Sequence, residues 1–249
     1  MQGELIIIGL LFLVAIVYSS VGHGGASGYL AVLSFYTFSH EVMATSALCL
    51  NLLVAGASLY SFSRAKHFSW SLTWPFVALS IPAAFAGGLM KIPPKTYALL
   101  LCVVLAGAGL RLFFDSVLKN RQEAVSKPPL PAAFVSGGVI GLLSGMAGVG
   151  GGIFLSPIML FFRWAGPKQT AAASAFFILV NSLAGLTGRL LRWKPEHLET
   201  RMLFFMVVAA FAGGLLGSRL GAHHFSAIWL KRILSVVLFI ASFKLLRFI

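Results

Sequence analysis

Charged residues make up only 10% of this 249-residue chain, and just six of them are acidic. Soluble domains carry about 25% charged residues, so this composition cannot clothe an ordinary water-facing surface. The six carboxylates, Glu4, Glu41, Asp115, Glu123, Glu196 and Glu199, all fall in expected loops or at expected interfaces. Cation paths place carboxylates inside the membrane, which disfavours cation transport. Two cysteines, Cys49 and Cys102, lie in apolar segments and read as small buried hydrophobes rather than as a disulfide. No Cys or His spacing suits zinc, and no cofactor is called for. The chain also lacks a nucleophile paired with a base and a cofactor fingerprint in a βαβ setting, so an enzyme is the weakest reading. Its start, Met1-Gln2-Gly3-Glu4, has no basic region, and the apolar stretch that follows reads as a retained span.

What abounds is apolar sequence, at 59% of residues and a mean hydropathy of +0.93. Stretches near the ~20 residues that cross a bilayer recur along the chain, which predicts an all-α polytopic membrane protein solvated by lipid. Helices are expected near 5–20, 41–62, 70–90, 96–114, 131–147, 169–188, 202–220 and 226–247, about eight spans in two sets of four. The net charge of +13 would suggest nucleic acid in a soluble protein, but the 19 Lys and Arg sit in the connections between spans. Retention of those loops in the cytoplasm explains them without a nucleic-acid partner.

The heptapeptide AAFAGGL occurs at 83–89 and again at 209–215, and the same spacing of 126 relates Gly22-His23-Gly24-Gly25 to Gly148-Val149-Gly150-Gly151. The chain reads as a tandem duplication, with a first transmembrane repeat at 1–114, a cytoplasmic connection at 115–130 and a second repeat at 131–249. Pro128, Pro129 and Pro131 punctuate that connection. Each repeat opens on a span, a glycine-rich break and about ten further apolar residues. Ten helical residues cover roughly 15 Å, half a bilayer, so each segment reads as a helix, a break and a half-helix.

A half-helix that starts within the membrane leaves its first N–H groups unpaired at the positive end of its dipole, and such an end attracts anions. Glycine lets the backbone approach a ligand, and successive amides in a tight turn form an anion-binding concavity. Two such loops converging on one oxyanion would make a site at the junction of the repeats; close helix packing is the plainer use of the same glycines. Basic residues in the loops at 63–69, 111–130 and 189–201 and at the C-terminus number twelve against seven elsewhere, which puts both termini in the cytoplasm. If each broken segment instead returns to its own side, the repeats become inverted and the count becomes eight against eleven.

The run Gly145-Met146-Ala147-Gly148-Val149-Gly150-Gly151-Gly152-Ile153-Phe154-Leu155-Ser156-Pro157, with Ala173-Ser174 and Asn181-Ser182, resembles the second-repeat signature of the TauE/SafE family. The first half echoes it as Gly22-His23-Gly24-Gly25-Ala26-Ser27, Thr45-Ser46 and Asn51, with His23 and Ala26 where an apolar residue and a third glycine are expected. The resemblance implies a multi-pass permease of the bacterial inner membrane for small sulfur anions such as sulfite, thiosulfate or organosulfonates. The expected substrate-binding set is Gly22, His23, Gly24, Gly25, Ser27, Thr45, Ser46 and Asn51 from the first half, with Gly148, Gly150, Gly151, Gly152, Ser174 and Asn181 from the second.

His23 is the ionisable side chain placed within the membrane in a motif, where it would hold the anion or a coupled proton, or bond a loop carbonyl. The hydroxyls and amides of Thr45, Ser46, Ser174, Asn51 and Asn181 would meet the anion's remaining oxygens or bond between helices. Arg64 and Arg189, 125 residues apart, read as topology signals or as anion recruiters, and His223-His224 as a solvated turn. A passive anion channel and a non-transporting membrane scaffold are the rival readings.

Overall fold

The computed structural model describes residues 2–33, 40–90, 126–192 and 200–246, together with Ala106, Leu110 and Phe113. Most of the helix expected near 96–114 lies outside these residues. The described residues are helical, without a strand: α1 (Gln2–Ser20), α2 (Ala26–Leu33), α3 (His40–Arg64), α4 (Trp70–Leu89), α5 (Leu130–Ala147), α6 (Gly152–Phe161), α7 (Pro167–Arg192), α8 (Thr200–Arg219) with a π turn at Leu220–His224, and α9 (Ala227–Leu246). The expected breaks occur where the glycines stand, so α2 and α6 are short helices of eight and ten residues. Prolines begin α5, which ends at Gly148 in the left-handed region with its N–H bonded to the Ser144 carbonyl.

Among the described residues, five helices are long and apolar enough to cross a membrane: Thr45–Arg64, Trp70–Leu89, Leu130–Ala147, Pro167–Leu191 and Met202–His224. Polarity is arranged for a lipid solvent. On α1, Leu5, Ile6, Leu10, Leu13 and Val17 face outward, whereas Ser19, Ser20, Asn51, Ser58, Ser61, Ser174 and Ser182 are buried. Buried polar groups inside an apolar shell suit a bilayer, where helices associate through small residues and hydrogen bonds.

Glycine sets the directions of the helices. Gly137, Gly141 and Gly145 of α5 lie against the backbone of Phe76, Ser80 and Ala84 of α4. Both numbers climb by four at each step, so α4 and α5 run parallel. Gly213 and Gly217 of α8, and Gly221 after it, meet the backbone of Phe12, Ile16 and Ser20, which makes α1 and α8 parallel as well. The same reasoning pairs α3 with α8, through Gly214 at Val54 and the Ser61–Ser218 hydroxyl bond of 2.8 Å. It also pairs α4 with α7, where Trp70 packs on Phe176 near their starts and Phe85 meets Gly188 near their ends.

At the centre the sense reverses: Asn51 of α3 bonds Ser182 of α7, Gly56 meets Leu179, and Phe62 packs with Ala171 and Ala172. Thus α1, α3 and α8 point one way while α4, α5 and α7 point the other. α3 therefore starts on the side where α1 began, and α7 on the side where α5 began.

Any side chain at Gly141 would enter the space of the Ser80 backbone, so Gly141→Leu must part α4 from α5. Overpacking of this kind costs about 1–3 kcal/mol or more, read as a lower thermal midpoint in detergent. Gly9→Ala, whose Cβ would meet nothing within 4 Å, leaves the midpoint in place.

Candidate functional site

The first break begins when α1 tightens. The Gly22 amide bonds the Ser19 carbonyl at 3.0 Å and the His23 amide bonds the Tyr18 carbonyl at 2.9 Å. Gly22 and Gly25 then take φ of +77° and +94°, and in the second break Gly148, Gly150 and Gly151 take +70°, +76° and +80°. A residue with a Cβ pays roughly 1–2 kcal/mol in this left-handed region, which accounts for glycine at these five positions without invoking a ligand. Gly24 and Gly152 need another explanation, and close approach supplies it. A Cβ on Gly24 would run into the Asn51 carboxamide, and one on Gly152 would run into Ile178.

Asn51 joins the two breaks. Its Oδ1 accepts from the Ala26 amide, the first N–H of α2, at 3.2 Å, and its Nδ2 donates to Ser182 Oγ at 3.0 Å and to the Val149 carbonyl at 3.4 Å. This network fixes the orientation of the amide. Gly150 approaches the same carboxamide from the other side, again with no room for a Cβ. One buried side chain thus touches loop 22–25, loop 148–151 and α7, well away from the ends of α3.

Beside it runs a second polar line. His23, 2% exposed, meets Ser156 Oγ of α6 through Nε2 at 2.9 Å, and Ser156 meets Ser174 Oγ of α7 at 2.7 Å. The Nδ1 atom of His23 is buried without a hydrogen-bond partner. Tyr18 stands close by, its ring centroid 6.5 Å from that of the imidazole, and its hydroxyl accepts from Ser27 at 3.0 Å.

Gly22, His23, Gly24, Gly25, Asn51, Gly148, Gly150, Gly151, Gly152 and Ser174 therefore gather around the meeting of the two breaks. Asn181 does not mirror Asn51. Its Nδ2 turns back to the Phe177 carbonyl of its own helix at 2.9 Å while Oδ1 stays buried without a partner, and the neighbouring Ser182 makes the cross-helix bond instead. Thr45 Oγ1 is likewise buried and unpartnered, and Ser46 is buried on the same helix. Ser156 and Ser182 lie within the signature segments, but a lone serine in an apolar helix carries no periodicity that marks it for a site.

Arg64 and Arg189 do not behave as a pair. Arg64 is exposed, its guanidinium 6.0 Å from the Tyr60 ring centroid, whereas Arg189 is 4% exposed and donates to the Met146 carbonyl at 3.2 Å near the end of α5. A cationic cluster gathers near the start of α7. Lys168 Nζ donates to the Ala222 carbonyl at 3.0 Å, and burial, followed by the Lys168 charge, holds the His67 imidazole below its ordinary range, with His223 adding to the effect. Among the described residues, no group of three or more His, Cys, Asp or Glu is placed to hold a metal ion.

Because Asn51 and Ser182 act on each other, their removal must be non-additive. Asn51→Ala leaves the Ala26 amide without its acceptor and costs about 1–3 kcal/mol. A double-mutant cycle with Ser182→Ala gives a coupling of about 0.5 kcal/mol or more; additive losses in thermal unfolding would contradict the bond.

The sequence profile of the family described as "Sulfite exporter TauE/SafE" matches residues 7–245. A protein of Sinorhizobium fredii (strain NBRC 101917 / NGR234), named "Probable membrane transporter protein y4hK", is 36% identical over 239 residues, covering 94% of this chain and 95% of that one. No solved structure matches. With five membrane-length helices, the chain is a multi-pass membrane protein, and it belongs to the TauE/SafE family of membrane permeases.

Proposed function

We propose that this permease carries small sulfur-containing anions, such as sulfite, thiosulfate or organosulfonates, across the bacterial inner membrane by alternating access. The anion sits where the loops 22–27 and 148–152 meet. One observation carries this reading: Gly24 and Gly150, from different halves of the chain, both press their bare backbone on the same buried carboxamide. The Asn51 oxygen already occupies the place at the first N–H of α2 where an anion would be favoured by unpaired amides and the helix dipole. An arriving oxyanion takes over that amide and engages the donors of Asn51, Ser182 and Ser174. The family description supports the sulfur oxyanion as cargo.

Two halves of like construction make the alternation. The order of long helix, break, short helix and two long helices in 2–89 recurs in 130–219. The first helices of the two orders, α1 and α5, run in opposite directions, which favours inverted rather than parallel repeats. Each then packs on the other half, α1 on α8 and α5 on α4. Rocking of one half against the other opens the central site to each side in turn. Inversion also changes the charge assignment: eleven Lys and Arg fall on the face of the 65–69 loop and eight on the other. The positive-inside rule then puts that loop in the cytoplasm and the start of the chain outside, not both termini inside as the simple span count gave.

Uptake of labelled sulfite into proteoliposomes, with thiosulfate, taurine and sulfate as competitors, tests this reading. Saturable uptake with a ranked competition is expected, whereas uptake that never saturates would indicate a channel. Gly24 lies outside the positive-φ set, so Gly24→Ala probes space rather than backbone strain. It should weaken the apparent affinity about tenfold, equal to ~1.4 kcal/mol, in protein that remains monodisperse. Unchanged affinity in Gly24→Ala and Gly150→Ala would remove the site.

A further inference from the structure

The bonds that join His23 to Ser156 and Ser174 do more than hold helices together, because both ends of the line finish in unsatisfied polar groups. At one end is His23 Nδ1, buried and unpartnered, on a ring beside the Gly152 backbone. At the other is a small pocket lined by Val21, Ser156, Leu160, Thr170, Ala171 and Leu234, with further walls from α7 and α9. Thr170, 1% exposed, leaves its Oγ1 unpartnered there, one turn before Ser174 on α7. Other serines, such as Ser20, Ser80, Ser136 and Ser235, bond a carbonyl of their own helix. Ser156 and Ser174 instead bond each other and the imidazole.

Resting on the anion-permease reading above, we propose that this line is the proton path of the transporter: water in the Thr170 pocket delivers a proton through Ser156 to His23, whose imidazolium is the counter-charge of the transported anion. The step balances as a hop. Ser156 Oγ takes a proton from a protonated water in the pocket, leaving neutral water there, as its own hydroxyl proton passes to His23 Nε2. The ring, protonated on Nδ1 beforehand, becomes an imidazolium, and Ser156 is again a neutral hydroxyl. The anion then binds against Nδ1–H beside the glycine loops. When the site opens to the other side, the anion leaves and Nδ1 gives its proton to water there. While the site is still open to that side, the neutral ring, left with Nε2–H, returns to the Nδ1–H tautomer by losing one proton to, and taking one from, water on that same side. One proton crosses per cycle, and nothing is oxidised or reduced.

The surroundings suit a histidine in this role. Tyr18 stands beside the His23 ring from its own stretch, and α6 presents Ser156, which in turn bonds Ser174 of α7. Lys168 and Arg189, at opposite ends of α7, are turned to the Ala222 and Met146 carbonyls, and Lys231 and Arg232 stand on α9, where Arg232 covers the Trp229 ring. No carboxylate among these groups competes for the proton.

The test uses thiosulfate and methanesulfonate, whose charges are constant between about pH 5.5 and 8, and reads binding to purified protein alongside gradient-driven uptake. In the unaltered protein, affinity tightens about tenfold as the pH is lowered while the charge of each probe stays constant. His23→Gln abolishes that pH response and the dependence of uptake on an imposed pH gradient. Ser156→Ala keeps the pH-dependent affinity but slows gradient-driven uptake about tenfold or more. Neither probe binding the unaltered protein at any pH would remove the anion reading and the proton path with it. Binding that is flat with pH in the unaltered protein, or a pH response that survives His23→Gln, would overturn the proton path alone. Should His23→Gln fail to fold, Ser156→Ala decides by itself, since an unchanged gradient-driven rate overturns the route.

Discussion

Within a membrane every backbone amide must find a partner inside the protein, and that requirement governs how this chain can be broken. A glycine loop between two helices exposes amides and carbonyls that lipid cannot satisfy, so it survives only where other parts of the protein or a polar cavity receive it. Here the receiver is one carboxamide. Asn51 takes the first amide of α2 and gives its own N–H groups to the Val149 carbonyl and to Ser182. It ties each break to the other and both to α7, so that the place where the backbone is least regular is also the place where the two halves meet. Replacing it with an apolar residue of similar size would leave the α2 amide stranded, which explains why a polar group stands in the middle of an apolar span.

Around this centre the helices are held by shape rather than by strong bonds. Lipid gives apolar side chains no reason to prefer a neighbouring helix, so contact between helices depends on how closely their backbones approach. Rows of glycine at four-residue steps on α5 and α8 let α4 and α1 lie against them over several turns. Such surfaces have few interlocking side chains and suit elements that shift relative to one another. The bonded line from Ser174 through Ser156 to His23 crosses from α7 to α6 to the first break, so a shift between these elements changes its continuity.

Much of this was legible in the sequence. The matched glycines at 22–25 and 148–151 placed both breaks, and composition gave the lipid-facing class. The short helices α2 and α6 begin where the glycine runs predicted them. The two copies of AAFAGGL, which marked the duplication, form packing faces, where Gly87 and Gly213 meet neighbouring backbone. The direction of the helices was not legible, because a hydropathy pattern has the same period whichever way a span is threaded. The charge count that put both termini in the cytoplasm depends on that direction. Nor was the partner of Asn51 legible: the repeat spacing of 126 carries Asn51 onto Phe177, and pairing it with Asn181 needs inserted residues, whereas the face towards Asn51 belongs to Ser182, one residue and about 100° further round the helix than Asn181. Ser156 was hidden for a related reason, since only the fold brings α6 beside a histidine 133 positions away.

The central claim is that the two glycine loops hold one anion between them at Asn51. A cryo-electron microscopy map of the protein saturated with thiosulfate tests it most directly. The account predicts density for the anion between Gly24 and Gly150, with the Asn51 carboxamide displaced from the Ala26 amide. Ligand density elsewhere, with the Asn51 bonds to Ala26 and Ser182 intact, would contradict it.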